Sequence, residues 1–336
     1  MRIAISIVLA TGVAALAGCG GSSSPGKAKA FVVLVTDINQ LNDHGFNQLA
    51  YQGLLRAERQ LGIRGAVYQS ASAQAYIPNL STAARKNADL VVAVGFDQAA
   101  AVATVAKEFP KTHFAIIDVS QADLTGKPAN VEGLIFREQE VGYLAGYLAG
   151  LEEKRAGKQN TISSVGGEKQ PPVDRYIAGY QAGARKADPT VKLLNAYTQD
   201  WVDQAKCKTA ALSQIAAGSN IIFQVAGGCG LGVLDAAKER NVWAIGVDAD
   251  QSYLGKQVLT SALKRVDTSV YSTIQQVLNN KFAGGTDAVF SLKNNGVGLG
   301  KISPQVPKAD VQKVQQIAKQ IAAGKITDIP TALIAN

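Results

Sequence analysis

From residue 31 onward, short apolar runs alternate with longer stretches whose apolar positions recur at helical spacing. Runs such as Phe31–Thr36, Leu90–Val94 and Phe114–Ile117 contain almost no polar residues, which is typical of strands buried on both faces of a sheet. The stretches Glu138–Lys154 and Val311–Ala322 instead predict helices. This alternation predicts an α/β fold with doubly wound parallel sheets.

One α/β unit occurs twice in the chain. The stretches Val91–Asp118 and Ile221–Asp248 both span 28 residues, and an offset of 130 places Asp118 on Asp248. Each unit has the pattern of strand, turn, helix and strand, and each ends in an acidic residue. Because ligands bind at the carboxyl ends of strands in open α/β sheets, we expect two lobes that form a cleft with one aspartate on each wall.

The N-terminus has the pattern of a secretory signal. Arg2 precedes the apolar stretch Ile3–Leu16, which is too short for a comfortable membrane span. The following Leu-Ala-Gly-Cys resembles a bacterial lipobox, so we expect residues 1–18 to be a lipoprotein signal peptide and Cys19 to carry the lipid. Residues 19–30 would then be the lipidated cysteine and a flexible tether, rich in Gly, Ser and Pro. The alternative is an ordinary signal that happens to contain a cysteine.

Composition limits the function classes. The length of 336 residues suggests about two domains, and 47% hydrophobic with 18% charged residues suits a globular chain. The net charge of +8 comes from scattered basic residues without aromatic interleaving, so no nucleic-acid surface is predicted.

The glycine-rich turn after residue 226 does not match a nucleotide-binding motif. No G-x-x-x-x-G-K-[ST] occurs, and Val233 and Asp235 occupy the places where the dinucleotide fingerprint needs its third glycine. Asp248, about 20 residues further on, matches the spacing of the ribose-binding acid of that fold. We therefore expect no cofactor, although Asp248 suits a ribose hydroxyl. His44, in the first polar loop, is either a ligand contact or a solvated side chain.

Two aromatic residues stand in polar loops at strand–helix junctions. Phe46 follows the loop 37–47 after the first strand, and Trp201 follows the strand that ends near residue 196. Each could simply pack a helix onto its sheet, or the two could hold a flat ring between their faces. Together with Asp118 and Asp248, the pair favours a ligand with one planar apolar part and one polyhydroxyl part. A nucleoside fits this description, and an aromatic glycoside fits it less well.

Cys207 and Cys229 are the remaining cysteines beside Cys19. An extracytoplasmic compartment permits a disulfide between them, and both should lie at the same rim of one sheet. The alternative is two unpaired buried thiols. No nearby histidine supplies further ligands, so no metal site is predicted.

Several longer segments carry a resemblance to a known family. They are TDINQLNDHGFNQLAYQG (36–53), IIFQVAGGCGLGVLDAAKE (221–239), IGVDADQ (245–251) and TSALKRVDTSVY (260–271). The chain resembles the basic membrane protein family, lipid-anchored substrate-binding proteins of ABC transporters that are similar to purine nucleoside receptors. This resemblance implies a type I periplasmic binding protein fold, with two doubly wound parallel-sheet lobes joined by three crossovers and closing on a ligand.

The resemblance also implies a division of the chain and a set of partners. The N-terminal lobe would comprise residues 31–136 plus about 263–285, and the C-terminal lobe residues 137–262 plus about 286–336. The implied partners are a small ligand, with a nucleoside favoured, an ABC permease, and the membrane through the lipid on Cys19. We expect a monomer held at the cell membrane on its extracytoplasmic side.

The resemblance implies ligand-binding roles for eight residues. They are Asp37, Phe46, Asn47, Asp118, Trp201, Gly227, Asp248 and Lys264. Phe46 and Trp201 match the family's ring-stacking positions, with a larger Trp in place of the usual Phe. Lys264 would be a hydrogen-bond donor or a counter-charge to the two acids, or else a surface lysine.

The resemblance also bears on the two cysteines. Cys207 and Cys229 replace the family's usual Gly and Thr, and this paired departure favours a disulfide without deciding it.

Three function classes follow, with the transport receptor preferred. A binding lipoprotein of the same fold for a sugar or an autoinducer, or a sensory receptor, is the alternative. An enzyme, such as a nucleoside hydrolase or a dehydrogenase, would need a further base or a dinucleotide loop, and the sequence contains no pattern for either. A transcription regulator of this fold would need an N-terminal helix-turn-helix where the predicted signal lies.

Overall fold

The computed structural model describes residues 28–157 and 159–333. The predicted signal peptide, Cys19 and the tether as far as residue 27 lie outside the described residues. The strands are β1 (Phe31–Val35), β2 (Arg64–Tyr68), β3 (Leu90–Ala93), β4 (His113–Ile117), β5 (Val131–Phe136), β6 (Thr161–Gly166), β7 (Lys192–Tyr197), β8 (Ile221–Val225), β9 (Trp243–Asp248), β10 (Val258–Lys264), β11 (Asp287–Phe290) and β12 (Val297–Leu299). The helices are α1 (Phe46–Leu61), α2 (Tyr76–Arg85), α3 (Ala99–Glu108), α4 (Glu138–Ala156), α5 (Pro171–Ala187), α6 (Gln204–Ala216), α7 (Leu231–Arg240), α8 (Val266–Leu278) and α9 (Lys308–Ala322).

The strands form two six-stranded sheets, which confirms the predicted fold class. The first lobe is built on a parallel sheet with the order β11-β5-β4-β3-β1-β2. The second lobe is built on the order β12-β10-β9-β8-β6-β7, in which β12 runs antiparallel to β10. Strand β1 shows why these runs form central strands: Val32 and Leu34 pack into the core on one face, and Val33 and Val35 into the core on the other.

Both sheets have the same reversal of strand order. In the first lobe the order reverses between β1 and β3, and in the second lobe between β6 and β8. Such switch points open a crevice at the carboxyl ends of the strands, where ligands bind in open α/β sheets. The two crevices therefore indicate where to look for a functional site.

The chain passes between the lobes three times. It crosses from β5 to α4, returns from β10 to α8, and crosses again from β11 to β12. Helix α8 packs against α1 so closely that a Cβ on Gly53 would lie 2.5 Å from the carbonyl oxygen of Asp267. The second crossing thus returns the chain to the core of the first lobe.

One predicted boundary needs correction. A boundary at about residue 286 assigned the following strand to the second lobe, but β11 pairs with β5 in the first sheet. The outer edge of β5 is covered by this parallel strand, and Phe290 stacks on Phe136 with ring centroids 4.9 Å apart. The chain therefore leaves the first lobe after Phe290. Helix α2 contains Pro78 in its first turn, where proline is tolerated.

Helices α4 and α5 of the second lobe pack backbone against backbone. A Cβ on Gly179 would lie 2.2 Å from the carbonyl oxygen of Gln139, so only glycine fits there. This contact brings the start of α4, with Glu138, beside Arg175 and Tyr176 of α5. No helix within residues 28–157 and 159–333 is long and apolar enough to cross a membrane.

A disulfide links Cys207 to Cys229, with the two Cα atoms 5.6 Å apart. Of the two alternatives left open by the sequence, the structure contains the paired form. Both cysteines are fully buried. The bond joins the first turn of α6 to the glycine-rich turn 227–230 between β8 and α7.

Candidate functional site

A cavity of about 60 Å³ lies between the carboxyl edges of the two sheets. Seven of the eight residues singled out from the sequence line it: Asp37, Phe46, Asp118, Trp201, Gly227, Asp248 and Lys264. The structure thus brings together side chains from both lobes at the two switch points. The eighth, Asn47, lies behind this surface and not on it.

The two aspartates at the ends of the repeated units share an unusual backbone conformation. Asp118 follows β4 and Asp248 ends β9, and their φ angles are 72° and 62°. The left-handed region costs a non-glycine residue roughly 1 kcal/mol or more, and aspartate and asparagine are the side chains that tolerate it best. The repeat therefore includes a strained turn that aims one carboxyl group from each lobe into the cleft.

Asp118 belongs to a buried chain of charges. The Nζ of Lys264 lies 2.6 Å from the Oδ1 of Asp118 and 2.9 Å from the Oε1 of Glu138. The other oxygen of Glu138 accepts a hydrogen bond from the Nε of Arg175 at 2.6 Å. Lys264 is only 2% exposed, so the alternative of a surface lysine is wrong.

Burial and charge act against each other in this chain. Burial raises the pKa of Asp118 to about 6, although the Lys264 ammonium opposes that rise. Burial alone would lower the pKa of Lys264, but Asp118, Glu138 and Asp248 together raise it above its usual range. Lys264 is therefore protonated and supplies a fixed positive charge beneath the cavity.

The direct hydrogen-bond partner of Asp248 is an uncharged group. The hydroxyl of Tyr176 donates a hydrogen bond to its Oδ1 at 3.3 Å. Burial raises the pKa of Asp248 to about 7, with Lys264 opposing the shift and Asp118 adding to it. A carboxylate in this position can accept hydrogen bonds from ligand hydroxyl or N–H groups, and its protonation changes near neutral pH.

Asn47 holds the first loop in place. Its Nδ2 donates to the Oδ1 of Asp37 at 2.6 Å and to the carbonyl oxygen of Asn39 at 3.1 Å. Asp43 accepts hydrogen bonds from the backbone N–H groups of Gly45, Asn47 and Gln48 at the start of α1. The loop thus presents Asp37 to the cavity, and burial raises the pKa of Asp37 to about 7.

Four aromatic residues line the cavity: Phe46, Phe96, Tyr176 and Trp201. Phe46 lies at the start of α1, with the Nζ of Lys264 5.2 Å from its ring centroid. Trp201 of the second lobe meets Phe96 of the first edge to face, with centroids 5.9 Å apart. The Trp201 ring lies on Gly167, where a Cβ would be 2.4 Å from the ring. Among the described residues no acceptor pairs with the Trp201 Nε1, which is buried.

Two further residues of the cavity lining, Phe96 and Tyr176, were not predicted from the sequence. Phe96 opens the short turn after β3, which is the counterpart of the turn 227–230 in the second unit. The repeat therefore placed Phe96 at the same kind of strand–helix turn as Gly227, which only the resemblance had singled out. Tyr176 lies on a face of α5 that is mostly core, and its apolar spacing gave no such signal.

The lobes also touch at the rim of the cleft. The Nδ1 of His44 lies 2.6 Å from the hydroxyl of Tyr253, and the Nε2 of Gln251 donates to the carbonyl oxygen of His44 at 3.1 Å. His44 comes from the first lobe and the other two residues from the second. The structure therefore places His44 in a lobe-to-lobe contact and not in the cavity lining.

Comparison with known proteins shows the family of the chain. The family model for PnrA-like ABC transporter substrate-binding proteins, called Bmp, matches residues 30–330. The chain belongs to this family. Bmp proteins are substrate-binding components of ABC transport systems, so the partners of the chain are a small ligand and a membrane permease.

Individual relatives cover almost the whole chain. The ABC transporter nucleoside-binding protein BmpA of Lactococcus lactis is 34% identical, with 97% of each chain covered. An uncharacterized lipoprotein of Pyrococcus abyssi is 33% identical and covers 98% of this chain and 82% of its own. The solved ABC transporter solute-binding protein of Aeropyrum pernix superposes with a TM-score of 0.81 at 26% identity, covering 90% of this chain and 94% of that one.

Proposed function

We propose that the protein is a receptor that binds a purine nucleoside between its two lobes and delivers it to an ABC importer. The observation that carries this proposal is that aromatic rings and carboxyl groups line the same cavity. Phe46 and Trp201 supply rings, and Asp118 and Asp248 supply carboxyl groups. The nucleoside-binding name of the Lactococcus lactis relative supports the same ligand class.

Each half of a nucleoside has a matching set of groups. The flat base would stack between Phe46 and Trp201, whose rings attract it by dispersion and by their quadrupoles. The ribose hydroxyls would donate hydrogen bonds to Asp118 and Asp248. Bonds to charged acceptors contribute about 1.5–3 kcal/mol each, because the ligand leaves water for a site that is already polar. Asp37 can accept from an N–H group of the base.

Binding is coupled to lobe movement in this proposal. A cavity of about 60 Å³ is small beside the roughly 300–1,000 Å³ of ordinary ligand pockets. A nucleoside would therefore enter while the lobes stand further apart, and the lobes would close on it by hinge motion at the three crossovers. The permease can recognise the closed form, in which both lobes present one surface.

The proposal includes a lipid anchor on Cys19, supported by the lipobox-like sequence and by the lipoprotein name of the Pyrococcus abyssi relative. The experiment is cell fractionation of the wild type and a Cys19→Ser variant. We expect the variant to leave the membrane fraction while it keeps the same ligand affinity. A variant that stays in the membrane fraction would contradict the anchor.

Ligand binding is tested by thermal shift and calorimetry on protein refolded from denaturant, so that no ligand is carried over. The panel contains nucleosides, free bases, ribose and sugars. A ligand at 100 times its dissociation constant raises the free energy of unfolding by about 2.7 kcal/mol, which is easily measured. We expect nucleosides to stabilise the protein more than ribose or base alone. Stabilisation by a sugar and not by nucleosides would overturn the proposal.

A further inference from the structure

The Cys207–Cys229 disulfide lies directly behind one wall of the cavity. Cys207 is in the first turn of α6, and Cys229 is in the turn 227–230 that begins with the cavity-lining Gly227. The loop that carries Trp201 runs between β7 and α6 and so ends at the same helix. The bond thus joins the two segments that form the second lobe's side of the aromatic site.

Backbone contacts connect the disulfide to Trp201. The N–H of Cys229 donates a hydrogen bond of 2.8 Å to the carbonyl oxygen of Trp201. A Cβ placed on Gly228 would lie 3.4 Å from that oxygen, so the turn and the loop are in van der Waals contact. A displacement of Cys229 must therefore be transmitted to Trp201.

We infer that this disulfide positions Trp201 and the Gly227 turn for the flat ring of the ligand, so that ligand affinity depends on the redox state of the bond. The inference rests on the proposed function and deepens it. It assigns a positioning role to Cys207 and Cys229, which do not themselves line the cavity.

The displacement on reduction follows from the size of sulfur. Bonded sulfurs lie about 2 Å apart, whereas non-bonded heavy atoms prefer roughly 3.5–4.0 Å. A dithiol reductant supplies two electrons and two protons and becomes a disulfide itself, leaving both cysteines as thiols. The two sulfurs must then separate by about 1.5 Å in a fully buried site, which displaces the turn that contacts the Trp201 loop.

The carboxyl groups of Asp118 and Asp248 lie on segments that the disulfide does not join. Asp118 belongs to the first lobe, and Asp248 is held at the end of β9 by strand pairing. Reduction should therefore weaken contacts with the flat ring more than contacts with the hydroxyl groups. Misplacement of a binding group by about 1 Å is enough to cost a large factor in a preorganised site.

The first measurement needs no ligand. The chain has two tryptophans, so Trp243→Phe leaves Trp201 as the single tryptophan, and excitation beyond the tyrosine absorption band selects it. Acrylamide quenching of Trp201 is compared in the oxidised protein, after dithiothreitol treatment, and in a Cys207→Ser/Cys229→Ser variant. We expect stronger quenching in both unlinked forms and recovery on reoxidation of the reduced one. Equal quenching in the three forms would overturn the inference.

The second measurement is nucleoside affinity by calorimetry in the same forms. We expect a loss of about tenfold when the link is absent. The control is Val314→Ala in α9, which removes buried volume from a helix outside the cavity and should leave affinity unchanged. Altered quenching with unaltered affinity would overturn the inference. Altered quenching with no nucleoside bound by any form would instead refute the proposed function while still supporting the positioning of Trp201.

Discussion

The two walls of the cleft place an aspartate in the same way and surround it differently. Asp118 and Asp248 end equivalent units and share a left-handed backbone, yet Asp118 pairs with Lys264 while Asp248 meets the neutral hydroxyl of Tyr176. The repeated backbone therefore decides where a carboxyl group stands. The helices of the second lobe, which contribute Glu138 and Tyr176, decide how its charge is balanced.

Removing the Lys264 ammonium should give the largest effect, because it abolishes the charge pairing that distinguishes Asp118 from Asp248. Lys264→Met leaves Asp118 and Glu138 buried without their shared partner. Breaking a buried ion pair from one side costs about 3–5 kcal/mol, which urea unfolding would measure. The control is Lys256→Met at an exposed lysine, which should change the free energy of unfolding by about 0.5 kcal/mol or less. Equal effects of the two substitutions would show that the buried charges are not coupled.

Substitution of the aspartates by asparagine sharpens the comparison, because asparagine tolerates the same backbone conformation. Asp248→Asn should lower nucleoside affinity about tenfold to a hundredfold, the equivalent of one charge-assisted bond. Its free energy of unfolding should not fall, because a buried carboxyl group with a raised pKa is replaced by a neutral amide. Asp118→Asn should lower both quantities, since Lys264 loses a partner. Asp250→Asn, outside the cavity, is the matched control for calorimetry and urea unfolding.

The raised pKa values predict opposite pH trends for stability and for binding. Asp37 and Asp248 have folded pKa values of about 7 and Asp118 of about 6, while unfolded aspartate ionises near pH 4. Between about pH 4 and 7 the folded state binds more protons than the unfolded one, so these groups make the free energy of unfolding fall as pH rises. Nucleoside affinity should rise over the same range, because ionised carboxylates are the better acceptors. Calorimetry and urea unfolding from pH 5 to 8 test both trends. If the free energy of unfolding and the nucleoside affinity rise or fall together with pH, this account is contradicted.

Trp201→Phe should give the smallest effect. An aromatic ring remains at this position, but the buried Nε1–H donor is lost. This donor has no protein acceptor among the described residues. A neutral hydrogen bond contributes about 0.5–1.5 kcal/mol, so nucleoside affinity should fall by roughly twofold to tenfold. Deazapurine nucleosides, each lacking one ring nitrogen, identify the acceptor. Each analogue is compared with the parent nucleoside on both proteins. An analogue that binds the wild type more weakly than the parent does, but binds the variant as tightly as the parent does, lacks the nitrogen that accepts from the indole N–H. If every analogue loses the same factor in both proteins, the indole N–H contacts no ring nitrogen.

Strand ends were the part of the site that the sequence could predict. Asp118, Asp248 and Gly227 follow apolar runs, so their place at the sheet edges followed from the period of the pattern and from the repeat. The burial of Lys264 was left open, because it depends on Glu138 and on a helix contact made through glycine backbones. Such partners lie far apart along the chain. The sheet that receives β11 was also mispredicted. This strand has only four residues, and so short a run gives no sequence signal for the sheet edge on which it pairs.

The buried chain of charges also has a mechanical consequence. Lys264 ends β10 where the chain returns to the first lobe, and Glu138 begins α4 where it first leaves. In the proposed closing motion both therefore lie close to the axis of rotation, where a given rotation produces the shortest displacement. Trp201 follows β7, at the edge of the second sheet opposite β10 and β12, so its contact with Phe96 lies at a longer lever arm and separates by a larger distance. Opening would thus part the aromatic rings while the ion pairs near the axis stay intact.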